Sequence, residues 1–314
     1  MDAQTLDQLT IALSPSAQAM LAAAIVIMIF AIALGLKTEH FLFLKTDPKL
    51  FWGGLAAQMV GLPAITLLLV TIMAPHPSIA LGMIVVAACP GGNVSNFMTW
   101  SARGDTAYSV SLTAGSSVIA ALWTPAAILF WSELYPPTAE LLDAVAFNRL
   151  SFVLQTTAML AAPLALGMAG AKYFPRAAEN IRKPLGLFGA AILVYVIVSG
   201  VIDFWPVIAA GWMLILVPVA VHNASAFALG AASGRLLGAS GPRRRTLTFE
   251  VGIQNAGLAV VLLLAQLKGL GGAAAIAAAW GVWHFFSGGA MIVFYRFLDA
   301  RKTGWPSTSK SPAD

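Results

Sequence analysis

The chain has 314 residues, 59% of them hydrophobic and 10% charged, with a mean hydropathy of +0.83. A soluble domain carries about 25% charged residues, so this composition excludes a soluble globular protein and predicts an all-α membrane protein. The single cysteine, Cys89, excludes an intramolecular disulfide framework, and the formal net charge of +5 is no nucleic-acid signal because the basic residues collect in alternate loops.

A membrane-spanning helix needs about 20 apolar residues. The acidic start, with Asp2 and Asp7, lacks the basic opening of a signal peptide. Nine segments then qualify as spans: 15–36, 50–74, 78–102, 105–131, 148–170, 184–201, 206–232, 247–267 and 273–298. Of the 18 basic residues, all but Arg149 and Lys268 fall in one set of alternating loops or at the C-terminal end. The positive-inside rule therefore predicts an N-terminus outside and a cytoplasmic C-terminus.

The third segment is interrupted by Cys89-Pro90-Gly91-Gly92-Asn93-Val94-Ser95-Asn96. Pro90 removes a backbone donor and clashes with the preceding turn, and two glycines follow, so a helix should break here. A bilayer tolerates broken backbone only where it is buried in protein or lines a watery cavity. A second polar stretch, Glu250-Val251-Gly252-Ile253-Gln254-Asn255, lies inside the eighth segment. Two interrupted helices at corresponding places in two halves point to a transporter's binding site. Pairing segments 3 with 8, 4 with 9, 2 with 7 and 1 with 6 predicts an internal repeat whose halves have opposite topology, with segment 5 left alone.

Among the acids, only Glu250 is a clear intramembrane candidate; the other twelve fall in loops, tails or helix ends. An acid at the bilayer centre costs at least about 2.5 kcal/mol, so it must be neutralised by a proton, a basic partner or a metal cation. No Lys or Arg lies inside a segment to pair with it, although a Glu five residues after Arg245 could also sit at the membrane surface. Neutral oxygen donors stand nearby in the pattern: Ser95 and Asn96 after the break, Ser109 and Thr113 on one helix face, Gln58 in segment 2, and Gln254 and Asn255 after Glu250. Helix-to-helix packing is the plainer role for Ser109 and Thr113. One carboxylate with hydroxyl, amide and carbonyl oxygens suits Na⁺ better than Ca²⁺, which typically takes several carboxylates. His40 and His76 fall in loops, while His222 and His284 fall in segments 7 and 9, with no transition-metal spacing. His284 faces either a central cavity or a packing partner.

Pro90 to Asn96, Ala102-Arg103-Gly104-Asp105, the run Thr246 to Ala259, His222-Asn223 and Trp283-His284 together resemble the bile acid:sodium symporter family over nearly the whole chain. The resemblance implies an inverted repeat with two broken crossover helices. It implies a core domain (50–131 and 206–298) and a panel domain (15–36 and 148–201) in one transporter unit of the nine-helix type. It implies about two co-transported Na⁺ ions. The first site would use Ser95, Asn96, Ser109, Thr113 and Glu250. The second would use Gln58, Glu250, Gln254 and the carbonyls of Val251 and Ile253. Asn93, Asn255 and His284 become the substrate-facing positions, and Phe285 stands where some bacterial members are polar. The expected function is import of a small organic anion by alternating access, by a monomer in a bacterial inner membrane. A bile acid-like sterol, pantoate, pantothenate or another small carboxylate would serve as cargo. A proton-coupled carrier, an arsenite-type exporter using Cys89, and an intramembrane enzyme or receptor remain as alternatives.

Overall fold

A computed structural model describes residues 15–203, 212–267 and 270–302. The regular elements among them are all helices. In chain order they are α1 (Pro15–Leu34), α2 (Pro48–Met73), α3 (Pro77–Ala88), α4 (Asn93–Ser101), α5 (Thr106–Glu133) and α6 (Pro136–Ala144). Then follow α7 (Arg149–Tyr173), α8 (Pro175–Asp203), α9 (Trp212–Leu236), α10 (Gly241–Gly252), α11 (Ala256–Gln266) and α12 (Gly271–Lys302). Five of these are long and apolar enough to cross a membrane among the described residues: α2, α5, α7, α9 and α12. Their outward residues, such as Leu68, Ile72, Leu154 and Leu166, are large, apolar and exposed, as lipid-facing helices require. The acidic N-terminus, residues 206–211, Lys268, Lys310 and Asp314 lie outside the described residues.

Local chemistry sets most helix starts. Proline stands in the first turn of α2, α3, α6 and α10, where its missing N–H costs nothing. Asp47, Asp105, Asn148 and Asn255 cap α2, α5, α7 and α11, each accepting a hydrogen bond from the amide three residues on. Two helices begin earlier than their apolar runs predict. α8 starts at Pro175 rather than near 184, carrying an exposed charged turn ahead of the apolar part and holding Pro184 inside. α10 starts at Gly241 rather than 247, because Arg243 and Arg245 find carboxylates at that end. α6 is an added short helix that the hydropathy pattern does not announce.

α1 packs between α7 and α8, while α9 packs along α10 and α3 along α12. At Gly230 any side chain would collide with the backbone of Leu247 and Thr248, so α9 and α10 lie in direct contact there. Arg243 bridges Asp47 and Asp105, and Arg245 pairs with Asp299, which Arg103 also approaches. These contacts gather the starts of α2, α5 and α10 and the end of α12 at one basic end of the molecule. At the other end Arg149 meets Glu133 and Asp143.

The chain breaks where Pro90-Gly91-Gly92 predicts. α3 ends at Ala88, Cys89 and Gly92 are extended, and α4 restarts at Asn93. The second break falls at Ile253-Gln254-Asn255, between α10 and α11. The two breaks cross each other and pair as a short antiparallel bridge between Gly91 and Gln254. The Asn255 N–H donates to Pro90 O at 2.9 Å and the Gly92 N–H to Ile253 O at 3.4 Å. Each interruption thus supplies the partners that the other leaves unmet, which is how unwound backbone survives inside a bilayer.

Candidate functional site

Glu250 lies on the last turn of α10 and is 1% exposed. Its carboxylate accepts from three hydroxyls on two other helices. Ser95 Oγ of α4 donates to Oε1 at 2.6 Å, Ser109 Oγ of α5 to the same oxygen at 2.5 Å, and Thr113 Oγ1 of α5 to Oε2 at 3.0 Å. Asn96 Oδ1 is 3.3 Å from Thr113 Oγ1. The five residues expected to form a first ion site therefore meet in one buried cluster. Its side chains offer only oxygens and one amide group to a ligand, and its single formal charge is negative.

Gln58 approaches from the opposite side. It sits on a π-helical turn, Ala57–Gly61, inside α2, a wide turn of the kind often found at functional positions. Its Nε2 donates to the Glu250 carbonyl at 2.5 Å, and Gln254 Nε2 donates to the Val251 carbonyl at 2.9 Å. Both amide oxygens, Gln58 Oε1 and Gln254 Oε1, are buried with no hydrogen-bond donor. Buried acceptors are normally satisfied, and a cation is one partner that would satisfy oxygens left without a donor. The Ile253 carbonyl, also expected here, is taken up by Gly92 in the crossing. Gly91 makes the close approach possible, since a Cβ there would stand 2.7 Å from Gln58 Nε2 and 3.3 Å from Glu250 Oε2.

Against the crossing lies a cavity of about 840 Å³, whose lining includes Asn96, Thr113 and Gln254. Asn93, Asn255 and His284, the three positions expected to face the substrate, all line it. Asn93 opens α4, whose free N–H groups and positive dipole end favour an anion. Asn255 spends its Oδ1 on capping α11 and keeps its amide N–H₂ for other partners. His284 is 5% exposed, with both ring nitrogens lacking a partner. It packs edge-on to Trp280 at 5.8 Å and against Phe285 at 4.6 Å. The walls between are aliphatic, including Met28, Ile32, Val110 and Val260.

Some contacts here were not foreseen in the sequence. Thr99 lies 3.3 Å from Ser109 Oγ as an alternative acceptor. Asn223, noted only within the family pattern, donates to the Gly252 carbonyl at 2.8 Å and so holds the end of α10. His222 bonds Thr66 at 2.8 Å and is fully buried behind the crossing, away from the cavity lining. A polar residue in an apolar span was the available signal for Asn223 and Thr66, but the pattern alone did not say which backbone they would meet.

Comparison with known proteins gives consistent matches. Residues 22–205 match the model of the Sodium Bile acid symporter family. The uncharacterized sodium-dependent transporter YocS of Bacillus subtilis is 29% identical over 86% of this chain and 80% of its own length. A rice chloroplast protein named as a probable sodium/metabolite cotransporter is 27% identical over 86% of this chain and 62% of its own. The human ileal sodium/bile acid cotransporter is 27% identical over 57% of this chain and 50% of its own. This chain thus spans less than two thirds of the length of the rice and human relatives.

Proposed function

The chain belongs to the Sodium Bile acid symporter family, a family of transporters, and from that premise we propose that it is a sodium-coupled symporter importing an organic anion. The observation that carries this reading is Glu250, a buried carboxylate whose side-chain partners are three hydroxyls. A lone buried carboxylate is costly by several kcal/mol unless a cation or a proton answers it. Na⁺ suits a nest of one carboxylate and neutral oxygens. The first ion would lie among Ser95, Asn96, Ser109, Thr113 and Glu250. The second would lie by Gln58, Glu250, Gln254 and the carbonyls of Val251 and Ile253, where the two unmatched glutamine oxygens support it. The anion would bind across the crossing, between the start of α4, Asn255 and His284. About two Na⁺ ions would then be carried with each anion.

The architecture follows from the same reading. Nine spans would form an inverted repeat, since the order long helix, broken pair, long helix occurs in α2–α5 and again in α9–α12. Segments 50–131 and 206–298 would make the core, and segments 15–36 and 148–201 the panel. Ion binding would neutralise Glu250 and fix α4 and α10 in register. The core would then move against the panel to expose the cavity alternately to either side. The basic end would face the cytoplasm of a bacterium, with the chain as a monomer in the inner membrane.

The test is thermal unfolding of purified protein in NaCl, KCl and choline chloride at equal ionic strength. Na⁺ alone should raise the midpoint in a saturable way, and Glu250→Gln should remove that rise while leaving the protein folded. A net loss of about 3 kcal/mol corresponds to more than a hundredfold weaker Na⁺ binding. Equal midpoints in the three salts, with a stabilisation that instead follows pH, would rule out sodium coupling and favour a proton-coupled carrier.

A further inference from the structure

Among the described residues, the cavity proposed to receive the anion is charged at only one place. Its charged lining residues are Arg182 and Lys183, both from α8, and no acid lines it among the described residues. These two stand at the basic end, apart from the crossing with its Asn93 and His284. We propose that Arg182 and Lys183 form a second anion-binding subsite, so that the cargo carries two anionic groups separated by an apolar body; this rests on the symporter reading above.

Arg182 has the features of a built recognition group rather than a solvated surface charge. Its side chain is 33% exposed, and its one ion pair, to Glu179 one turn away, is long at 3.8 Å and reaches a carboxylate that is 66% exposed. Its Nε is buried with no partner. Arg182 lines the cavity with a partly exposed side chain, and a planar guanidinium is suited to a carboxylate, sulfate or phosphate oxygen. Gly35, at the end of α1, makes room for it: a Cβ there would stand 3.2 Å from the Arg182 Nη1. His40 adds a neutral donor to the same wall. The Lys37 N–H donates to His40 Nδ1 at 3.2 Å, so the proton of the neutral ring sits on Nε2. Burial, reinforced by Lys37 and Arg182 against the pull of Glu39, holds this imidazole below its ordinary value and keeps it neutral at pH 7.

The cavity is therefore polar at two ends and aliphatic between them. A monoanion would satisfy the crossing and leave Arg182 unmatched. A dianion with an apolar middle satisfies both ends, and its second charge adds a charge-assisted bond of about tenfold in affinity.

The test compares matched ligands on purified protein in a neutral detergent with saturating NaCl. The pairs are hexanoate and hexanedioate, octanoate and octanedioate, decanoate and decanedioate, and lithocholate and its sulfate ester. At least one dianion should bind about tenfold more tightly than its monoanionic partner. The double substitution Arg182→Gln with Lys183→Gln should abolish that advantage while leaving monoanion affinity and the Na⁺-induced thermal shift unchanged. If Na⁺-dependent binding occurs but every pair binds equally, or if the advantage survives the double substitution, the subsite is wrong and the symporter reading stands. If no anion of either kind binds with Na⁺ dependence, both fall together.

Discussion

Gly91 shows how much of the site depends on one missing carbon. Its Cα lies against the Gln58 amide and the Glu250 carboxylate, and an added methyl would stand 2.7 Å from Gln58 Nε2. The atom that must yield is the far end of a flexible side chain, so Gly91→Ala should fold. Gln58 would lose its bond to the Glu250 carbonyl. Na⁺ binding should weaken by about tenfold, the loss of one buried hydrogen bond to a tightly placed ligand, and the Hill coefficient for Na⁺ should fall toward one. Titrating Na⁺ against the unfolding midpoint measures both; an unaltered curve would remove Gln58 from the ion-binding scheme. Glu250 was legible in the sequence because an acid in an apolar run has no cheap structural role. Ser109 and Thr113 were legible only as a pair four residues apart, equally suited to packing. Thr99 carried no signal at all, since its position depends on how α4 meets α5.

At the scale of elements, the crossing is held in place from the basic end. Asp47 and Asp105 each use one carboxylate oxygen to cap a helix, accepting from Leu50 and Tyr108, and the other to bind Arg243 at 2.8 and 3.1 Å. One guanidinium thus ties the starts of α2 and α5 to the start of α10, the helix that carries Glu250. Arg243→Met keeps the bulk over Phe43, where the guanidinium now lies 5.1 Å from the ring, but leaves two carboxylates facing each other. These groups are 25–30% exposed, so screening limits the loss to about 1–2 kcal/mol. Amide exchange at Leu50 and Tyr108 should quicken in the variant, read by hydrogen–deuterium exchange, while α7 is unaffected; unchanged protection at both amides would show that the tie holds nothing. The broken third segment was readable because Pro90 and two glycines announce it. The break at Ile253 carries no such run, and only its polar residues gave it away. The π-helical turn under Gln58 was invisible, because its residues are ordinary helix formers and the extra residue is imposed by packing. The early start of α8 was hidden because charged residues hide a helix from any hydropathy reading.

For the whole molecule, charge asymmetry predicts orientation. The basic end holds Arg103, Arg182, Arg243 and Arg245, whereas at the opposite end the charge of Arg149 is met by Glu133 at 2.5 Å and Asp143 at 2.8 Å. The rule counts Lys and Arg rather than net charge, so this imbalance of cations sets the bias. The native Cys89 is 1% exposed and should stay silent to thiol reagents, which makes the molecule its own labelling background. Arg176→Cys should react with a membrane-impermeant maleimide in inside-out vesicles but not in intact cells, and Glu140→Cys should do the reverse. The opposite pattern would invert the proposed topology.

The bridge between Gly91 and Gln254 has a consequence for how such a machine can diversify. Its bonds run from backbone to backbone, so they are indifferent to the side chains around them. On the proposed reading, the carboxylate that would answer the ion hangs behind the bridge, and Asn93 and His284, which would touch the cargo, line the cavity. Mutation can therefore rewrite the front, residue by residue, with the machinery behind left intact. A change of diet would need no change of engine.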